Sequence, residues 1–254
     1  MVGPLTPRLH VLPDPESVAR TGSDTLLGFL GQAVGARGRA SLALSGGSTP
    51  IPLYRRLAPA LVQGPLRAEL HLFWADERFV PPTSELSNYR TARESLFPGD
   101  PLPRGNVHPI PTTEAPTPEA SAERYEAELR RVFADGDATF DVALLGVGPD
   151  GHTASLFPKA PALLEKDHWV RAVPLAPQPP HVPRVTLTLP ALSLTRRVVV
   201  LATGEEKRSA VAAAFDPDLS DADRPPAGRV HGRESTEWFV DRAAAAGLPG
   251  PARA

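Results

Sequence analysis

Cysteine is absent from all 254 residues. That excludes disulfide scaffolds, thiolate nucleophiles and Cys-ligated metals, and it suits a reducing compartment. Long apolar runs are missing as well. The most apolar stretches, 142–147 and 198–202, fall far short of the roughly 20 residues that a membrane-spanning helix needs. Residues 1–15 carry prolines and no apolar core, so a signal peptide is not expected and a cytoplasmic location is. Like charges never gather into blocks of five or six. With 27 basic against 29 acidic residues the net charge is −2, which offers no basic footprint for nucleic acid and no polybasic patch for a membrane. An anionic ligand would need a local site. Three catalytic signatures are also missing: the G-x-S-x-G elbow, the metal-binding H-E-x-x-H, and the Gly-Lys-Ser/Thr end of a nucleotide P-loop.

What remains is ordinary for a folded enzyme-sized chain. The composition is 41% hydrophobic and 22% charged, enough for a real core. The length fits one α/β domain over residues 1–254. Proline is abundant, at 31 residues, clustered at 98–118, 174–183 and 217–226. These clusters lie between patterned segments and read as rigid loops.

Hydrophobic periodicity predicts helices over 16–34, 50–61, 87–97, 118–133, 205–215 and 236–246, with Val18, Leu26, Leu27, Leu30 and Val34 marking the core face of the first. Strands are expected over 39–44, 69–74, 140–147, 184–189 and 198–202. Strand, glycine-bearing turn and helix recur about four times. The expected architecture is a Rossmann-like, mostly parallel sheet with helices on both faces. Ligands of such sheets sit beyond the carboxyl ends of the strands, where the unusual residues of this chain are expected.

One such end is Ser45-Gly46-Gly47-Ser48-Thr49-Pro50. Two glycines allow successive amides to point at one spot, and the following helix adds about half a positive charge. Ser48 and Thr49 add hydroxyls, so the turn suits a phosphate monoester; the alternative is a simple capped turn. Arg78, Arg184 and Lys207 lie near strand ends or loops. Each is either a solvated surface charge or part of an anion grip, Arg184 by a bidentate pair and Lys207 as a point charge. Asp76-Glu77-Arg78 reads either as a salt-bridged strand end or as a substrate contact.

The second unusual end is Gly146-Val147-Gly148-Pro149-Asp150-Gly151-His152. It matches G-x-G-x-x-G, yet Asp150 would set a carboxylate where a pyrophosphate should lie, and no strand ends in an acid about twenty residues on. A dinucleotide is therefore not expected. Asp150 and His152 stand two apart on a tight turn. A neutral imidazole can take a proton from water, and a nearby carboxylate can orient it. Free amides of the turn are expected to face an oxyanion. The competing reading is a hydrogen-bonding or capping histidine.

Taken together, these segments resemble the 6-phosphogluconolactonases, a branch of the superfamily that also holds the glucosamine-6-phosphate deaminases. The resemblance rests on residues 45–50, Asp76–Pro81, Ser87-Asn88-Tyr89, Gly146–Pro158, Arg184–Thr188, Thr203-Gly204 with Lys207, and Trp238 with Asp241 in what looks like the family's closing helix. It runs from about residue 40 to 245. Deaminases typically continue after the histidine with a run such as I-A-F-N-E-P; this chain reads Thr153-Ala154-Ser155-Leu156-Phe157-Pro158, without the acid. The lactonase branch is implied, hence hydrolysis of 6-phosphoglucono-1,5-lactone in the pentose phosphate pathway, with no cofactor and no metal. It implies catalysis by His152 and Asp150, with Gly46, Gly47, Ser48, Thr49, Asp76, Arg78, Gly151, Arg184 and Lys207 around a small sugar phosphate, in a monomer or homodimer. The alternatives are a hexosamine-phosphate isomerase or deaminase, and a non-catalytic sugar-phosphate sensor.

Overall fold

The computed structural model describes residues 6–64, 66–98, 104–134 and 138–248. Residues 1–5 and 99–103, which bear on the leader and first proline-rich readings above, lie outside them, as do the two ends of the expected domain. Ten strands are present among the described residues: β1 Arg8–Leu12, β2 Ala40–Leu44, β3 Leu70–Trp74, β4 Asp76–Arg78, β5 Val107–His108, β6 Val142–Gly146, β7 Val170–Val173, β8 Arg184–Leu187, β9 Arg197–Ala202 and β10 Ser235–Asp241. Seven form one sheet in the order β1-β10-β9-β6-β2-β3-β5, and every pairing within it is parallel. The central strands are buried on both faces, as their unbroken apolar runs require.

Helix α1 (Pro15–Arg37) shows why the local sequence starts and stops where it does. The Asp14 carboxylate accepts the Ser17 amide at 2.7 Å, and Pro15 occupies the first turn. Gly38 ends the helix at φ 69°, its amide donating to the Val34 carbonyl at 2.7 Å. Val18, Leu26 and Leu30 are buried as their spacing predicts, while Leu27 and Val34 are partly covered. Helix α2 (Ile51–Gln63) begins just after Pro50.

The sheet order decides where a ligand site can be. From β2 the chain leaves through α2 to β3 on one side; from β6 it proceeds to β9 on the other. Yet β2 and β6 are hydrogen-bonded neighbours, with Leu42 opposite Val142 and Ala43 opposite Ala143. Their following loops must part in opposite directions and leave a crevice at the switch point.

Three expectations are corrected. The closing helix predicted over 236–246 is strand β10 followed by a short turn, Arg242–Ala245. Trp238 is thus a strand residue, buried between β1 and β9. Glu237 disguises the strand: it is a buried acid whose carboxylate is met by Arg8 at 3.1 Å and His10 at 2.8 Å, both on β1. The segment 184–189 does not join the parallel sheet. Its first four residues form β8, paired antiparallel with β4 and β7 in a separate three-stranded sheet. All four are buried, which erases the alternation. Arg184 therefore stands at the start of an antiparallel strand, not at the carboxyl end of a parallel one. The first three residues of the helix predicted over 205–215 form a 3-10 turn, Glu205–Lys207, before the helix Arg208–Ala214.

Candidate active site

The glycine turn after β2 is tied down from below. Tyr54 of α2 is fully buried, and its hydroxyl accepts the Ser45 amide at 3.0 Å and donates to the Ser45 carbonyl at 2.6 Å. Burial pushes the phenol's pKa far up, so it stays a neutral donor and acceptor. Beyond Ser45 the backbone turns through Gly47 at φ 83°, a conformation that glycine adopts freely. Gly46 is glycine for a different reason: a Cβ there would lie 2.0 Å from Asn88 Oδ1. Among the described residues, nothing accepts the amides of Gly46, Gly47, Ser48 or Thr49, and α2 begins directly behind them.

Asp76, Glu77 and Arg78 have three separate tasks. Glu77 is buried and accepts the amides of Arg78, Asn88 and Tyr89, each at 2.7 Å, and the Ser87 hydroxyl at 3.0 Å. Burial raises its carboxyl, against the pull of those donors. It thereby anchors the start of the helix Asn88–Leu96 and sets Asn88 beside the cleft. Asp76 is also buried; its two oxygens take the Ser155 hydroxyl at 2.6 Å and Asn88 Nδ2 at 3.2 Å. Arg78 faces Arg184 across one rung of the β4–β8 ladder.

That pair of arginines is the unusual feature. Like charges directly opposite each other destabilise a sheet, and among the described residues neither guanidinium has a carboxylate within ion-pair distance. Arg184 is 3% exposed. Its Nη2 donates to the carbonyls of Gln178 at 3.2 Å and Pro180 at 3.1 Å, and it lies over the Phe157 ring at 5.4 Å. Arg78 Nη1 donates to the Leu86 carbonyl at 2.8 Å. The Nε of each is buried without a partner. Burial lowers the pKa of Arg184; Asp76 opposes the shift and Arg78 adds to it. One buried and one half-buried guanidinium, neither paired with a carboxylate among the described residues, form a wall suited to an anion. Lys207, at the 3-10 turn after β9, stands 3.8 Å from the exposed Glu206 and lines the same cleft.

On the opposite wall is the turn after β6. Asp150 Oδ1 accepts the His152 amide at 3.1 Å and ring Nδ1 at 2.6 Å, while Oδ2 accepts Gln178 Nε2 at 3.2 Å. Burial alone would raise the Asp150 carboxyl, but the hydrogen bonds and charge of His152 outweigh it and bring the pKa to about 2. The carboxylate is therefore ionised and holds a proton on Nδ1, which leaves Nε2 as the lone-pair nitrogen. The ring is 18% exposed and packs against Phe157 with centroids 4.6 Å apart. Phe157, which replaces the acid of the deaminase run, thus lies against both His152 and Arg184.

The cleft between these walls has a volume of about 190 Å³. It brings together Gly46, Gly47, Ser48, Thr49, Asp76, Arg78, His152, Arg184 and Lys207 from the sequence-derived set. Asp150 stands behind His152, and Gly151 is not part of the lining. At φ 80°, with Pro225 2.3 Å from where its Cβ would be, Gly151 shapes the turn against the 217–226 loop. Three of the turn's amides are engaged: Gly148 donates to the His152 carbonyl, Gly151 to the Gly148 carbonyl and His152 to Asp150. One supporting residue escapes a motif-by-motif reading. Asn88 was visible as part of Ser87-Asn88-Tyr89, but Gln178 sits among prolines and carries no signature.

Comparison with known proteins gives the family. Residues 13–238 match the family model described as glucosamine-6-phosphate isomerases/6-phosphogluconolactonase. The chain is similar to the 6-phosphogluconolactonase of Mycobacterium tuberculosis, 41% identical over 246 residues, covering 95% of this chain and 98% of that protein. With that of Synechocystis it shares 35% identity over 247 residues, 96% and 99% of the two chains. The crystal structure of 6-phosphogluconolactonase from Thermotoga maritima superposes with a TM-score of 0.81 at 34% identity, over 93% of this chain and all of that one. With the matched residues spanning both walls of the cleft, the chain belongs to the glucosamine-6-phosphate isomerase/6-phosphogluconolactonase family.

Proposed function

We propose that this protein hydrolyses 6-phospho-D-glucono-1,5-lactone to 6-phosphogluconate, the lactone step of the pentose phosphate pathway, with His152 as general base. The observation that carries the reading is the unneutralised pair Arg78 and Arg184 facing the His152–Asp150 dyad across one cleft. The phosphate dianion is held by the free amides of Gly46–Thr49 with Arg184 and Lys207. His152 Nε2 takes a proton from water as its oxygen attacks the lactone carbonyl. Asp150, ionised, stabilises the imidazolium so formed. Arg78, the remaining cation of the cleft, supplies the positive field for the oxyanion. Collapse breaks the bond to the ring oxygen, which receives the proton from His152; the new acid then ionises. Family relatives named 6-phosphogluconolactonase support the same substrate for this chain. Phe157 in place of an acid beside His152 argues against the deaminase alternative.

The test compares phosphorylated and unphosphorylated gluconolactone, corrected for spontaneous hydrolysis. His152→Ala should lower kcat by roughly 10²–10⁴-fold while leaving 6-phosphogluconate binding within a few-fold of the parent. Near-full turnover by that variant removes His152 from the role, and equal turnover of the two lactones removes the phosphate grip.

A further inference from the structure

The proline-rich loop 174–183 joins β7 to β8 and carries one residue that touches both halves of the site. Gln178 donates its side-chain amide to Asp150 Oδ2 at 3.2 Å, and its main-chain carbonyl accepts Arg184 Nη2 at 3.2 Å. An ionised carboxylate selects the NH₂ end of the amide, so the donor assignment is fixed by Asp150. The prolines at 174, 177, 179, 180 and 183 restrict the loop's alternatives. Pro180 offers its own carbonyl to the same guanidinium at 3.1 Å. Gln178 itself is not among the residues lining the cleft.

We propose that Gln178 is a positioning residue for the base: its side chain fixes Asp150 behind His152 while its backbone holds Arg184, so one loop residue sets the base against the anion grip. The proposal rests on the reading of His152 as base. Asp150 would otherwise be held through Oδ1 alone, by the ring and the amide of His152. The Gln178 bond to Oδ2 leaves Oδ1 directed at Nδ1 and the amide of His152. The charged groups sharing this region are Asp76 and Arg78 on β4, Arg184 on β8 and Lys207 after β9. Arg224, beside the Pro225 that packs on Gly151, is turned to the carbonyls of Leu219 and Asp216.

Two variants separate positioning from bulk structure. Gln178→Met keeps the chain length and removes the donor; kcat should fall roughly tenfold with KM and 6-phosphogluconate affinity within about twofold of the parent. Gln178→Glu puts a second carboxylate against Asp150. That favours the imidazolium and should move the acid limb of the kcat/KM–pH profile up by about one unit. Both effects together support the proposal. It is overturned if both variants keep the parent's kcat and acid limb, or if kcat and affinity fall in parallel with Tm while the limb stays in place. His152→Ala run alongside distinguishes the two levels: normal turnover there removes the base, and this proposal with it, whatever residue 178 does.

Discussion

Replacing Arg184 by methionine should separate binding from stability. The guanidinium is buried, faces Arg78 across the ladder and, among the described residues, meets no carboxylate. Removing it forfeits two hydrogen bonds to carbonyls, worth about 1 kcal/mol each, at positions that water can reach. It also relieves a like-charge rung worth ~0.2–1 kcal/mol, together with the cost of desolvating a cation. Methionine fills most of the same volume. These contributions oppose each other, so folding stability should change by no more than about 1 kcal/mol, or a Tm shift of roughly 2–4 °C. Binding has no such compensation. Charge-assisted hydrogen bonds contribute about 1.5–3 kcal/mol each. With Lys207, Arg78 and the turn amides still in place, a net loss of about 3 kcal/mol, roughly a hundredfold in kcat/KM, is expected. The assay is kcat/KM on phosphorylated and unphosphorylated gluconolactone, with Tm measured on the ligand-free protein. The loss should fall on the phosphorylated lactone alone. Equal losses on both would show that Arg184 acts at the carbonyl, and a Tm drop of ~10 °C would show that the guanidinium is part of the fold.

Two further tests address the supports of the site. Tyr54→Phe removes the hydroxyl that pairs with both the amide and the carbonyl of Ser45 in a buried place; a loss of roughly 2–4 kcal/mol by denaturant titration, with weakened 6-phosphogluconate binding, is expected. Asp150→Asn addresses pH. The Asp150 pKa is depressed from 3.8 to about 2, so its ionised form stabilises the fold above about pH 4 and that stability is lost as pH falls toward 2. The full shift corresponds to about 2.4 kcal/mol, which screening at the partly exposed carboxylate reduces to roughly 1–2 kcal/mol. Parent and variant should differ by that amount at pH 6 and converge near pH 2 in chemical unfolding; a difference that persists at pH 2 would remove the pairing as its cause.

Much of this site is legible in the sequence, for a definite reason. The glycine turns at 45–49 and 146–152 combine backbone freedom with chemistry-bearing side chains, and each follows a strand whose apolar run marks it as central. Asp150-Gly151-His152 could be read as a dyad because two residues on a tight turn have little choice but to meet. Arg184 could be suspected but not placed, since β8 is buried on every residue and shows no period to tell which sheet it joins. Glu237 concealed β10 because a charge in mid-strand reads as solvent-facing until Arg8 and His10 on β1 are brought to it by pairing 227 residues and more along the chain. Gln178 was invisible for the opposite reason: its contacts come from loop shape, and nothing in a run of prolines announces which residue between them points inward.

The arrangement of the cleft follows from the sheet order, and that explains why the loop matters. Two turns leaving neighbouring parallel strands in opposite directions create a gap with amides on one side and a base on the other. Such a gap has no floor of its own charge. Here the floor is the small antiparallel sheet, which sets Arg78 and Arg184 side by side beneath the switch point. That sheet belongs to neither turn, so the distance from the base to Arg184 is not fixed by β2 and β6. Among the described residues, the polar contacts joining the β8 arginine to the β6 turn run through Gln178. With the base on one sheet and its arginines on another, struts must join them: Ser155, just after the His152 turn, bonds Asp76 and Thr186 of the small sheet, and the stiff loop adds Gln178 at the dyad itself.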